Sequence, residues 1–225
     1  MRKSDASEAI QELTDSVFSL ASNYKMVSEK LIFRRYIGAE IATVFEGLAQ
    51  LRITVFREFP YLYEGSVTYE KGYLATYAHA PHALLVAVFD GENLVGATTC
   101  LPLRNETEEV QAPFIRAEFD LDTVFYFGES LLLPAYRGMG IGHRFFDERE
   151  AHARSFGTYR FTCFCAVQRS ANHPLRPTDY RPLDAFWGQH GYQPNAALQT
   201  TFSWPDLGET IDTPKPMQFW LKALS

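Results

Sequence analysis

The sequence predicts an α/β domain built on a mixed sheet, and three observations carry that prediction. Residues 123–133 read as an apolar strand that runs into a glycine-rich turn, then a helix, then a second strand at 158–168, the order of a right-handed parallel unit. Upstream, the apolar runs 84–89 and 94–100 flank Asp90-Gly-Glu-Asn93, an Asp-Gly turn cluster that predicts an antiparallel hairpin. Two further runs, 199–204 and 217–224, read as terminal strands around a polar loop.

The stretch 131–150 organises the rest. Pro134 ends the strand, because proline cannot donate to a sheet ladder. Arg137-Gly-Met-Gly-Ile-Gly142 follows, and Ile141, Phe145 and Phe146 then fall near one helical face in a segment that reaches Phe156. Gly157 stands where a helix C-cap glycine belongs. A strand that delivers the chain through glycines into a helix exposes backbone N–H groups at the positive end of the helix dipole. Such a turn suits a phosphate or pyrophosphate. No Gly-Lys-Ser/Thr closes it, and Gly138-x-Gly140-x-Gly142 lacks the G-x-G-x-x-G spacing, so neither nucleotide fingerprint is present. The plain structural alternative is a tight turn with a closely packed helix.

Composition bounds the reading. A chain of 225 residues with 46% hydrophobic content can bury a sizeable core in one domain with an extension. A formal charge of −6 and the lack of a basic stripe argue against a nucleic-acid partner. Three cysteines, none in Cys-x-x-Cys, predict a reducing, cytoplasmic compartment. Cys163 and Cys165 alternate within one apolar strand and read as buried thiols, with no metal expected. No run approaches the roughly twenty apolar residues of a membrane helix, so no membrane partner is expected. Asp5, Glu8, Glu12 and Asp15 interrupt any apolar signal core.

In chain order, Ile10, Leu13, Val17 and Leu20 predict an amphipathic helix over 4–24, read as an N-terminal helical extension (1–30) on the main domain (31–225). It packs on its own domain or serves a partner, a homodimer among the options. Residues 31–36 predict a first strand. Residues 40–58 predict a helix with a broad apolar face that stops at Phe59-Pro60. A second helix, 68–80, ends before Pro81 and carries Tyr69, Tyr73 and Tyr77 as a stripe, read as core edge. The polar segment 104–122 lacks a clean period and is expected to be a long surface connection. Residues 170–183 are rich in proline and charge and read as loop, and 184–192 as a short helix ending at Gly191.

This element order, with the motif Arg137-x-x-Gly140-x-Gly142 after a strand and Pro-x-Tyr, resembles the GNAT superfamily of acyl-CoA-dependent N-acetyltransferases. Phe186-Trp-x-x-x-Gly-Tyr192 resembles the aromatic-x-x-x-Gly-Phe/Tyr end of the family's fourth helix. Val55-Phe-Arg sits where the family's first helix ends. The resemblance covers about residues 31–224. It implies the GNAT fold, a mixed central sheet with a splayed parallel strand pair flanked by helices. It also implies acetyl-CoA as co-substrate, with main-chain groups of Leu131, Leu132 and Leu133 holding the pantetheine arm. Arg137, Gly138, Met139, Gly140, Ile141 and Gly142 would hold the pyrophosphate, and Asn172 would contact the CoA arm. A positioned neutral amine would attack the thioester directly in a ternary complex, helped by proximity and a polarising main-chain N–H.

Glu129, a carboxylate in an otherwise apolar strand, is the expected general base, against the alternative of a solvent-facing strand-edge residue. The family's acidic tyrosine corresponds here to Trp187, which is not a useful acid. Tyr180 is the expected substitute, with Tyr192 behind it. Glu58, Tyr61, Tyr63 and Glu64 are expected to form an acidic, aromatic wall for a cationic amine. The sequence does not choose among a small molecule, a peptide amine and a protein lysine as acceptor. The competing class is a CoA-binding regulatory module without transferase activity, which the tryptophan favours. His173, beside Asn172, is not expected to form a dyad with Cys163 or Cys165, since both thiols sit inside a strand.

Overall fold

The computed structural model describes residues 30–224. The helix predicted over 4–24 lies outside them. Seven strands form one sheet: β1 (Leu31–Ile37), β2 (Leu84–Asp90), β3 (Asn93–Pro102), β4 (Val124–Leu132), β5 (Phe161–Val167), β6 (Gln193–Trp204) and β7 (Thr213–Ala223). Their spatial order is β1-β2-β3-β4-β5-β7-β6, and every neighbouring pair is antiparallel except β4–β5. The parallel pair is the one expected from the strand–turn–helix–strand order.

Helices cover both faces. On one lie α1 (Phe45–Phe56), α2 (Val67–His79) and α3 (Glu108–Arg116). Beneath them is the larger core, with Leu48, Leu74, Tyr77, Phe114 and Phe219 fully buried. On the other face lie α4 (Ile141–Ser155) and α5 (Asp184–Gln189). Phe125, Phe127, Phe146, Phe164 and Tyr192 pack beneath them. Central strands covered on both faces must be apolar on both. β2, Leu-Leu-Val-Ala-Val-Phe-Asp, meets that demand, with its first five residues buried.

Local chemistry sets the ends. Ser66 caps α2 by accepting the Tyr69 N–H at 3.3 Å, and the helix stops where Ala80, ahead of Pro81, turns extended. The predicted helix over 40–58 divides in two. Gly38–Val44 is a tighter 3₁₀ segment, and Val44 leaves helical geometry (φ −117°, ψ 9°) before α1 begins. The segment 104–122 is not an unstructured connection, as the sequence suggested. It holds α3, whose Val110, Pro113 and Phe114 are buried, and two short 3₁₀ turns. Arg104 closes its ends by a bidentate bond to Asp122 at 2.7 Å. Among the described residues, no helix is long and apolar enough to cross a membrane.

Candidate active site

β4 and β5 pair only where Val124–Tyr126 meet Phe161–Cys163. Beyond that seam β4 stays on β3 as far as Leu132, while β5 stays on β7 as far as Val167. The two strands therefore diverge and leave a gap in mid-sheet. The Leu133 N–H donates to the Val95 carbonyl at 3.0 Å, on the β3 side. Alternation along the strand turns the Leu132 groups toward the gap. There the Leu132 carbonyl accepts from Arg137 Nε at 3.1 Å. Leu131 is fully buried in the core.

The glycine turn stands beside the wide end of the gap. Pro134–Tyr136 make a 3₁₀ turn, and the Tyr136 hydroxyl anchors it by donating to Asp90 at 2.8 Å. Gly140 is the N-cap residue of α4 in left-handed geometry (φ 76°), which a side chain rarely adopts. No side chain caps the helix start, so its first N–H groups point outward as an anion site. Gly142 packs against the Phe186 ring. Met139 is half-buried and packs with Ile141 and Phe145. Asn172 is exposed in the loop after β5, its backbone N–H bonded to Ser170 Oγ at 3.2 Å.

Glu129 lies on β4 above the seam and faces α1 and α2, not solvent. Thr98 pairs with Ser130 and Cys100 with Phe127, so Thr99 alone opposes both Gly128 and Glu129. This β-bulge aims two consecutive residues at the same helices. Gly128 is obligatory there. A Cβ would sit 2.7 Å from Thr99 Oγ1 and 2.9 Å from Tyr77 Cζ, and closer still to the buried Tyr77 hydroxyl. Gly128→Ala is expected to cost about 1–3 kcal/mol by overpacking. Urea unfolding checks it; an unchanged midpoint would contradict the geometry.

Glu129 Oε2 accepts from Arg52 Nη1 at 2.7 Å, and Arg52 Nε donates to Glu70. The backbone holds Glu129 as well, through Thr98 Oγ1 donating to its carbonyl at 2.7 Å. Burial pushes the Glu129 carboxyl above the usual carboxylate range, and Arg52 opposes that shift. Glu106, just past β3, is pushed up to about 7, also chiefly by burial. It accepts from the Thr107 N–H at 3.1 Å and the Tyr77 hydroxyl at 3.4 Å. Two carboxylates, Glu70 and Glu129, thus share one guanidinium, and Glu106 lies within electrostatic reach of it.

Sequence reasoning missed Arg52, Glu70 and Glu106. A signal existed for two of them. Leu48, Arg52 and Val55 share helical spacing, as do Glu70, Leu74 and Tyr77, so both charges stand on apolar stripes.

The expected acceptor wall does not form one surface. Tyr63 is buried against the Gly65 turn and near Tyr69. Glu64 is bound to Arg57, and Glu58 pairs with Arg137 Nη2 at 2.8 Å. Tyr61 packs on Phe56 (centroids 4.5 Å apart) and Trp204 (6.0 Å), and burial raises its pKa, with Cys165, Arg52, Glu129 and Tyr180 as further influences. Tyr180 meets Phe59 edge-on at 4.7 Å, under the Arg176 guanidinium. Burial raises the Tyr180 pKa, so it keeps its proton. Tyr192 is fully buried and donates to Glu150 at 3.1 Å. Trp187 packs on Phe164 and Trp220 (5.1 and 5.0 Å). Cys163 and Cys165 are buried, and burial raises both thiols, Cys165 to about 12. His173 instead accepts from the Leu175 N–H at 3.2 Å. Among the described residues, no three His, Cys, Asp or Glu side chains group as metal ligands.

A split sheet with an uncapped, glycine-bounded helix start at its mouth defines a class: α/β proteins with a slot in the sheet and an anion site beside it. The model of the acetyltransferase (GNAT) family matches residues 48–177, and the chain belongs to that family. Solved structures share the fold at low identity. NAA60 of Arabidopsis thaliana in complex with acetyl-CoA superposes with a TM-score of 0.56 at 12% identity, covering 86% of this chain and 98% of that one. An N-acetyltransferase from Staphylococcus aureus Mu50 gives 0.55 at 10%, covering 87% and 99%. The putative acetyltransferase yncA from Salmonella typhimurium, with its cofactor acetyl-CoA, gives 0.50 at 10%, covering 87% and 95%. No curated protein matches the chain.

Proposed function

We propose that the protein transfers an acetyl group from acetyl-CoA to a primary amine by direct attack in a ternary complex. The gap between β4 and β5, open beside the glycine turn, carries the proposal. Acetyl-CoA in the solved relatives supports the choice of ligand. Turn amides from Arg137 to Gly142 hold the pyrophosphate, with Asn172 beside the arm. Leu132 meets the arm through its gap-facing groups, while Leu131 and Leu133 keep that strand on β3. Glu129 takes the amine proton, and Tyr180 offers one to the departing thiolate. The acceptor, a small molecule or a peptide amine, approaches past Glu58 and Glu64, the more exposed members of the expected wall, with Tyr61 half-buried beside them and Tyr63 in the core behind. The family's fold supports acyl transfer; amine specificity is our inference.

The test is thermal unfolding with acetyl-CoA at a hundred times its Kd. Stabilisation of about 2.7 kcal/mol is expected, a rise on the order of 5–10 °C for a chain this size. Gly140→Asp, which forces a side chain into left-handed geometry and sets a carboxylate at an anion site, is expected to abolish the rise. No rise in the unaltered protein at saturating acetyl-CoA would overturn the assignment. A second reading, a CoA-binding module without turnover, is favoured by Trp187, whose indole packs in the core at the place of a proton donor. Thiol release across a panel of amines separates the two: binding with no release on any amine selects the module.

A further inference from the structure

We propose that Arg52, backed by Glu70, is the positioning residue for Glu129, clamping one carboxylate oxygen and leaving the other free to receive the acceptor's proton. The inference rests on Glu129 being the base. Its geometry is independent of that reading. The Arg52 guanidinium packs on two rings, with Tyr73 at 4.4 Å and Phe56 at 5.0 Å from ring centroid to Cζ. From that position Nε engages Glu70 and Nη1 engages Glu129 Oε2. The Arg52 side chain is only 10% exposed, and the Glu129 side chain 2%.

What marks the cluster is its incompleteness. Glu129 Oε1 and Glu70 Oε1 are buried and have no hydrogen-bond partner. A buried ion pair kept for stability alone is a poor device, since desolvation offsets most of the attraction and every leftover lone pair adds cost. Here one oxygen of Glu129 is fixed and the other is buried but unpaired, a lone pair kept for a proton. In the step assigned to it, the amine nitrogen forms its bond to the acyl carbon and the carbon–sulfur bond breaks. The electron pair leaves on the CoA thiolate, and the nitrogen's proton passes to Glu129 Oε1.

The groups around Glu129 decide how its proton affinity responds. Arg52 faces it from α1; Glu70, Tyr73 and Tyr77 from α2; Thr98 and Thr99 from β3; Glu106 from beyond β3; and Tyr61 from the loop after α1. Arg149 acts from the other face of the sheet. Arg52 is the cation in direct contact and Glu70 the nearest anion. Their removal must therefore act with opposite signs.

The experiment is the pH profile of kcat/KM for the amine that turns over in the thiol-release panel, read on its acid limb. Glu70→Gln, which keeps the shape and an acceptor for Arg52, is expected to move the limb down by about one pH unit. Arg52→Gln is expected to move it up by about one unit. Arg52→Lys restores the limb but not the rate, because a point charge lacks the fork that spans both carboxylates. Carboxyl carbon resonances of glutamate-labelled protein read the same shifts without any amine. Should Arg52→Gln fail to fold, Glu70→Gln decides alone. A limb and resonance unmoved or moved upward in Glu70→Gln overturns the positioning role. Wild-type activity in Glu129→Gln instead removes the base assignment itself.

Discussion

Glu129→Gln is expected to lower kcat about 100-fold or more, the range a positioned base supplies, while the thermal response to acetyl-CoA persists. Glutamine keeps the length and a carbonyl oxygen for Arg52 Nη1, so the bond at 2.7 Å has a successor. What is lost is a group able to hold the amine's proton inside a closed site. Steady-state thiol release, with thermal unfolding alongside, checks both halves. A kcat within a few-fold of the unaltered protein would remove Glu129 from the chemistry.

The second large effect is on stability. Arg169, just past β5, donates to the Pro60 carbonyl at 2.8 Å and to the Tyr61 carbonyl at 2.8 Å, and grips Asp206 with two bonds of 2.8 and 2.7 Å. Both side chains are largely buried, at 10% and 15% exposure. Breaking such a pair from one side leaves the other charge uncompensated, at a cost of about 3 kcal/mol. Arg169→Met is therefore expected to lower Tm by about 6–12 °C. Lys215, 3.3 Å from Asp206, sets the lower end of that range. Calorimetry decides; a Tm within about 1 °C of the unaltered protein would show that Lys215 alone holds Asp206.

Much of this architecture is legible in the sequence because it rests on local signals. The Asp90-Gly91 turn, the caps at Gly157 and Gly191 and the glycines before α4 are chemical necessities of single positions, whereas α1 ends at Phe56, short of the stop expected at Phe59-Pro60. α3 was hidden by Pro113 inside a nine-residue helix rich in charge, although Val110 and Phe114 carry its apolar spacing. The break at Val44 had no clear mark in composition. The site divides the same way. Glu129 stands out as a charge in an apolar strand, but its burial depends on a bulge that pairing with Thr99 creates. Arg52 and Glu70 meet Glu129 only once two helices fold back over β4, across 77 residues of chain in one case. The residues expected to meet the acceptor were grouped by proximity in sequence alone. Adjacent acidic and aromatic residues in a loop point in different directions once each finds its own partner.

The parting of β4 and β5 leaves a slot that is tied at both ends. The sheet's two leaves, β1 to β4 and β5 to β7, share paired backbone only at Val124–Tyr126. At the far end of the opening, Arg169 of the second leaf grips the loop after α1, which rides on the first. The Tyr63–Asp206 bridge and the Leu207 N–H to Leu62 carbonyl bond of 2.8 Å extend that grip. Fixed at both ends, the slot has its width set before any ligand arrives. A long, thin ligand of the kind proposed above would then have to come in from the side that the glycine turn borders.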